Sequence, residues 1–298
     1  MRVQHKKTQE NVEKTEEFKH PLVSIIIPTY NSSKTVEKCL KSVKKQTYEN
    51  IETIVSDNFS TDKTADIARK YKARVVLKGS ERAVAKNYGA SVARGSLLYF
   101  IDSDFVLACD TVQKCVRAIT KADALVTSKA SVGKSFWART ISYKNQLLAD
   151  DPSVLAARFM KKDVFFKAGG FHETLVYGED VDLHRRLLDA GYLIRKVNAI
   201  EWHIGEPKTL KEFVLKKCYY GKTLKRYLKR DRRVIYTHLN PFKLELLKGV
   251  LKNPSLLIFG LGVIQIVDYI VTLLELTTTG KDSQEIAQIK NMSFFWLL

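Results

Sequence analysis

Leu22 to Ile27 reads LVSIII, an apolar run with almost no polar relief. A strand this apolar must be covered on both faces, as in a parallel sheet packed between helices. The pattern then alternates. Ser32 or Ser33 can cap a helix that carries Val36, Leu40 and Val43 on one face. Ile51 to Val55 reads as a second strand, Thr64 to Tyr71 as a short helix capped by Asp62, and Arg74 to Leu77 as a third strand. Arg82 to Ala93 reads as a helix closed by Gly95. Leu97 to Ile101 is a fourth strand, Asp110 to Thr120 a helix, and Ala124 to Thr127 a fifth strand. Strands and helices joined by short links predict βαβ units: an α/β fold with a mostly parallel sheet flanked by helices.

The residues YFIDSDF, 99 to 105, show what such a sheet serves. A buried strand runs into Asp102 and Asp104 with Ser103 between them. In open α/β sheets ligands sit beyond the carboxyl ends of the strands. The first strand ends at Pro28-Thr29-Tyr30-Asn31 and the second at Ser56-Asp57-Asn58, so three strand ends deliver polar groups to one edge. Two carboxylates two positions apart leave an extended chain on the same side. They suit a hard divalent cation, Mg2+ or Mn2+, whose remaining ligands would be a pyrophosphate.

These blocks taken together resemble glycosyltransferase family 2 on the GT-A fold. They are IIIPTYN, IVSDNFSTDKT, AKNYGASVARG, YFIDSDF and GGFHETLVYGEDVDLHRRLLDAGY, in that order. The likeness runs from about Val23 to about His203 and extends to membrane-associated members such as dolichyl-phosphate mannosyltransferases and cellulose-synthase-like enzymes. It implies a Rossmann-like catalytic domain and a nucleotide-diphospho-sugar donor. By position, Pro28, Thr29, Tyr30, Asn31 and Asp57 match residues around the base and ribose, and Arg82 and Asn87 match a helix facing the nucleotide. Asp102, Ser103 and Asp104 match the DxD motif, and Asp180, after Glu179, matches the proposed catalytic base. His203 matches a histidine near the metal or pyrophosphate, and Trp202 could stack on a sugar ring. Ser32 departs from the family, which often has an acid there. The QxxRW pattern of processive relatives is absent, so a single sugar transfer is expected.

The chemistry supports these roles independently. A departing nucleoside diphosphate gathers negative charge, which a bridging metal stabilises. An acceptor hydroxyl is a poor nucleophile until a carboxylate takes its proton. Asp180 follows Tyr177-Gly178 and opens a helix bearing Val181, Leu183, Leu187 and Leu188. A helix N-terminus favours its ionised form.

The far end of the chain differs in kind. Lys208 to Arg233 holds eleven Lys and Arg against Glu212 and Asp231, a large part of the chain's net charge of +18. Pro241 to Lys252 is amphipathic, as interfacial helices are. Ser255 to Leu276 is mostly apolar and long enough to cross a bilayer, although Gln265, Asp268 and Glu275 interrupt it. The chain ends in SFFWLL, whose aromatics suit an interface. The basic run fits the positive-inside rule and attraction to anionic headgroups. The expected layout is a flexible tail over 1–20, a catalytic domain over 21–206, basic interface helices over 207–253 and a membrane helix region over 254–298.

These readings give an inverting, metal-dependent glycosyltransferase at the cytoplasmic face of a membrane. GDP-mannose is slightly favoured as donor and UDP-glucose comes next. The expected acceptor is lipid-linked: a glycan on a polyprenyl carrier, or a polyprenyl phosphate itself. Two other classes fit less well. A nucleotidyltransferase would carry a Gly-rich basic loop after the first strand, which PTYNSS lacks. A nucleic-acid binder would explain the charge, with Tyr219, Tyr220 and Tyr227 among the lysines, but not the five blocks, so no nucleic acid is expected. Four cysteines without a CxxC pair fit reduced thiols, with Cys109 and Cys115 as small core groups. Residues 1 to 19 show no apolar signal-peptide core.

Overall fold

The computed structural model describes residues 20–221, 223–224, 227–228, 244–252 and 254–277. Residues 1–19 of the tail expected over 1–20, parts of the basic run and the terminal SFFWLL lie outside the described residues.

An eight-stranded sheet forms the centre, in the order β3-β2-β1-β4-β7-β6-β8-β5. Its first four strands are parallel: β1 (Val23–Thr29), β2 (Ile51–Asp57), β3 (Arg74–Leu77) and β4 (Leu97–Phe100). Every residue of β1 is buried, as an apolar run covered on both faces requires. Helices α1 (Val36–Lys44), α2 (Thr64–Lys70) and α3 (Arg82–Ser91) make the crossovers. Their buried faces form two apolar layers, one with Ile25 and Ile27, the other with Ile26 and Leu98.

The second half is less regular. Next come β5 (Phe105–Leu107), α4 (Thr111–Ile119), β6 (Ala124–Ser131), α5 (Phe136–Leu147), β7 (Phe159–Lys161), α6 (Lys162–Lys167), α7 (Glu179–Asp189) and β8 (Ile194–His203). β7 runs antiparallel to β4 and β6, and β5 antiparallel to β8. The antiparallel β7 therefore brings its first residues to the edge where β4 ends.

Several local expectations change. Helix α1 begins after Thr35 without a side-chain cap; Ser32 contributes its carbonyl, which accepts from the Thr35 and Val36 amides. Asp62 does accept from the Thr64 amide at 3.0 Å, and also from the Ser33 amide at 3.1 Å. Gly95 does not close α3, which ends at Ser91. It is a close-approach glycine: a Cβ there would lie 2.4 Å from the Leu22 carbonyl oxygen. Cys115 is buried as expected, whereas Cys109 is exposed.

The C-terminal segment gives the largest correction. α8 (Leu210–Gly221), α9 (Leu244–Lys252) and α10 (Ile258–Thr277) pack on α5. The membrane crossing expected over 255–276 is not met: among the described residues no helix is long and apolar enough to cross a membrane. Asp268 instead ties this segment to the protein. It lies in the middle of α10 and faces the protein, where it takes Lys217 at 2.8 Å and Lys144 at 3.1 Å. Burial opposes its charge, but the two lysines hold the carboxyl far below the usual range. Leu261 and Ile264 join Ile141, Tyr143 and Phe213 in a small core on the same side.

This ion triad pins α10 to α5 and α8. Asp268→Ala strands two part-buried lysines and should cost about 2 kcal/mol. Urea unfolding checks this; an unchanged midpoint would mean that apolar packing alone holds α10.

Candidate active site

The site lies where the sheet's strand ends meet the start of α7. β4 stops at Phe100, and Asp102 and Asp104 follow in a turn closed by the Phe105 amide donating to the Asp102 carbonyl at 3.1 Å. The chain then enters β5, where Phe105 pairs with His203. That register sets Asp104 beside His203, and Asp104 Oδ2 meets His203 Nε2 at 2.9 Å. His203 Nδ1 reaches Glu206 Oε1 at 2.6 Å. Burial disfavours a charged ring, yet these hydrogen bonds outweigh it and raise the pKa of His203. Gly205 permits the approach, since a Cβ there would sit 2.1 Å from Asp104 Oδ2.

Opposite stands α7. Its N-cap, Gly178, is left-handed at φ 81°, and a Cβ there would lie 2.3 Å from the Tyr227 ring. Glu179, Asp180 and Asp182 fill the first turn, where the helix dipole favours negative charge. Lys86 joins the two sides. Its side chain is 2% exposed, and its ammonium meets Asp180 at 2.7 Å, Glu179 at 3.1 Å and Asp102 at 3.7 Å. Arg158, just before β7, lies 3.5 Å from Asp180, 3.7 Å from Asp102 and 3.5 Å from Glu201. Arg82 grips Glu179 with two nitrogens at 2.8 and 3.2 Å. Burial alone would raise the Asp102 and Asp180 pKa values; the Lys86, Arg82 and Arg158 cations outweigh it and hold both carboxyls below the usual range.

A cavity of about 620 Å3 opens over this cluster. Of the residues expected from sequence, Arg82, Asp102, Asp104, Glu179, Asp180 and His203 line it together. Its far wall is α8 and α10, through Phe213, Lys217, Gln265 and Tyr269 among others.

The other expected residues lie elsewhere. Pro28, Thr29 and Asp57 are buried at the ends of β1 and β2. Asp57 spends its carboxylate on Thr29 at 2.7 Å and on Ser60 at 2.6 and 2.9 Å. Tyr30 and Asn31 are exposed on the rim above them, where Asn31 accepts from the Thr61 amide. Ser103 donates to the Ser32 hydroxyl at 3.0 Å and ties this rim to the DxD turn. Asn87 does not face the cavity: its amide is bonded to both the N–H and the carbonyl of Phe171 and to Glu173. Trp202 also points away. Side chains alternate along β8, so Glu201 and His203 face the cavity and Trp202 the other side.

Sequence reasoning missed Lys86, Arg158, Glu201 and Glu206. Lys86 carried a signal, one helical turn after Arg82. Glu201 stands two positions before His203, on the same strand face. Arg158 carried none, because its placement needs the antiparallel β7.

The residues fit a divalent cation. Asp102 Oδ1 is buried and accepts no hydrogen bond, although the Lys86 ammonium stands 3.7 Å from it; Asp104 offers a second carboxylate, and His203 would join only on giving up its bond to Asp104. Among the described residues no three acidic, histidine or cysteine groups gather into a ready cage. An Mg2+ or Mn2+ here would take one or two carboxylates and draw its other ligands from phosphate.

Comparison with known proteins identifies the family. The model of Glycosyl transferase family 2 matches residues 24–172. The chain belongs to that family. Glycosyltransferase AglE of Haloferax volcanii is 29% identical over 191 residues, spanning 58% of this chain and 63% of AglE. The Escherichia coli enzyme WfaP, a UDP-Glc:alpha-D-GlcNAc-diphosphoundecaprenol beta-1,3-glucosyltransferase, is 42% identical over 90 residues, 28% of this chain and 35% of WfaP. The chain thus spans less than two thirds of the length of these relatives. Among solved structures, the mannosyltransferase PcManGT from Pyrobaculum calidifontis in complex with GDP-Man and Mn2+ superposes with a TM-score of 0.60 at 19% identity, over 86% of this chain and 87% of that one. This family member has the GT-A fold.

Lys86 balances three carboxylates, and its loss should show in acid. Asp102 and Asp180 have lowered native pKa values, so their pairing stabilises the fold above pH about 4 and is lost as pH falls below it. In Lys86→Met that stabilisation shrinks, so the variant should melt below wild type at neutral pH, and the gap should narrow as pH falls below about 4 and the carboxyls become neutral. Melting temperature against pH reads this out; parallel curves for variant and wild type would contradict the role given to Lys86.

Proposed function

We propose that this protein is an inverting, metal-dependent glycosyltransferase. It moves one sugar from a nucleotide-diphospho-sugar to a lipid-linked acceptor at the cytoplasmic face of a membrane. One observation carries the reading: Asp180, at the start of α7, lines one cavity with Asp102 and Arg158, and the buried Lys86 bridges the two carboxylates from beneath. That arrangement supplies a carboxylate base, cations for a diphosphate and a place for a metal on one wall.

In this reading the donor diphosphate lies against Arg158 and the DxD turn, with Lys86 buried beneath them. Charge-assisted bonds to phosphate are strong, so Arg158 shifts from Asp180 to the donor. A base clamped by cations is weak; with Arg158 drawn away, Asp180 regains basicity as the donor binds. Asp180 then takes the proton of the acceptor hydroxyl as its oxygen attacks the anomeric carbon opposite the leaving phosphate. A metal on Asp102, Asp104 or His203 would stabilise the charge of the departing nucleoside diphosphate. Arg82 and Glu179 brace the start of α7.

The candidate ligands follow the relatives. PcManGT was captured with GDP-Man and Mn2+, and WfaP is named for a UDP-Glc donor and a diphosphoundecaprenol acceptor. GDP-mannose remains slightly favoured here, with UDP-glucose next.

The clamped Asp180 also gives weight to a second reading, transfer to a polyprenyl phosphate, which is already ionised and needs no base. Both are tested on one panel: GDP-mannose, UDP-glucose, UDP-GlcNAc and UDP-galactose in detergent, with Mg2+, Mn2+ or EDTA. One donor should bind and turn over only with metal. With a hydroxyl acceptor Asp180→Asn should lower kcat by about 1,000-fold; with polyprenyl phosphate it should lower kcat only a few-fold. Metal-independent turnover of every donor would contradict the proposal.

A further inference from the structure

Helix α10 is apolar around nearly its whole circumference, yet among the described residues the protein covers only one side. Leu261, Ile264 and Asp268 face inward. At 100° per residue Phe259, Ile266, Ile270 and Leu273 fall together on the opposite side, where they are 79%, 61%, 37% and 38% exposed. α9, on the same α5, adds Leu247 and Leu251, 58% and 74% exposed. An apolar patch of this kind in water marks an interaction site.

We propose that the outer faces of α9 and α10 are a bilayer-docking surface, on which the protein lies flat in the headgroup region of an anionic membrane without crossing it. Charge selects the occupant. Lys248 and Lys252 stand exposed on α9 beside the leucines, the composition of an interfacial helix. The whole chain carries +18, so a second copy would bring like charge to this face, whereas anionic headgroups bring the opposite sign. The inward tie of Asp268 to Lys144 and Lys217 keeps α10 on the protein. The other side of α10 lines the cavity through Gln265, Asp268 and Tyr269. Docking would thus hold the cavity beside the lipid surface where a lipid-linked acceptor resides. Only that last step rests on the proposed acceptor.

The test is vesicle flotation of the full chain without any substrate. Phosphatidylcholine vesicles with phosphatidylglycerol should carry the protein, pure phosphatidylcholine should carry less, and high salt should weaken binding. The pair Ile266→Glu and Leu273→Glu should cut binding roughly tenfold, with an unchanged far-UV spectrum. Should that pair lose its fold, Leu247→Glu and Leu251→Glu probe the same surface from α9. Wild type bound to neither vesicle, or folded variants bound as well as wild type, would overturn the proposal. So would a wild-type dimer in solution that these substitutions dissociate, which would assign the face to a second copy. Failure of flotation with donor turnover intact in detergent would count against the surface alone; failure of turnover with flotation intact would count against the sugar-transfer reading alone.

Discussion

The ammonium of Lys86 is the interaction on which the site depends. It is enclosed by Glu179, Asp180 and Asp102, which come from two distant parts of the chain. A buried lysine without partners would lose its charge, and three buried carboxylates without a cation would repel one another. Together, with Arg82 and Arg158, they are neutral enough to bury and charged enough to bind. The same group joins α3, the DxD turn and α7, so it links the regular parallel half of the sheet to the irregular second half. α3 is itself fixed against β1, where Gly89 lets the helix approach Ile26 so closely that a Cβ would meet it at 2.5 Å.

The second half of the molecule gives this cluster its enclosure. β7 runs backwards and delivers Arg158 to the edge where β4 ends. β5 and β8 pair so that Asp104 and His203 meet. α8 and α10 then close the far wall, held by the triad of Asp268 with Lys144 and Lys217. The segment whose apolarity suggests a membrane span is therefore also part of the pocket, and one carboxylate at its centre accounts for that.

Legibility from the sequence followed the locality of the signal. The first four strands and three helices are carried by local periodicity, and all appear within a few residues of their expected bounds. The positions of the DxD pair and of Asp180 were legible because strand-end and helix-start positions are set by short stretches of chain. Arg158 was not, because its placement arises from the antiparallel β7, which no local pattern encodes. Asn87 and Trp202 lie away from the cavity for a related reason. A residue inside a motif still points where its helix turn or strand face directs it, and here that is toward Phe171 and away from the cavity. Gly95 read as a helix stop because a glycine after a helix usually is one; its actual constraint is the Leu22 carbonyl across the fold.

The central claim is that Asp180 assists a single direct displacement at the anomeric carbon. The stereochemistry of the first-formed product tests it most directly. Proton NMR of that product, against the configuration of the donor, reports it without any mutant. Direct attack with Asp180 as base predicts inversion at the anomeric centre. Retention would contradict the account, because it requires either a covalent intermediate or attack from the leaving-group side.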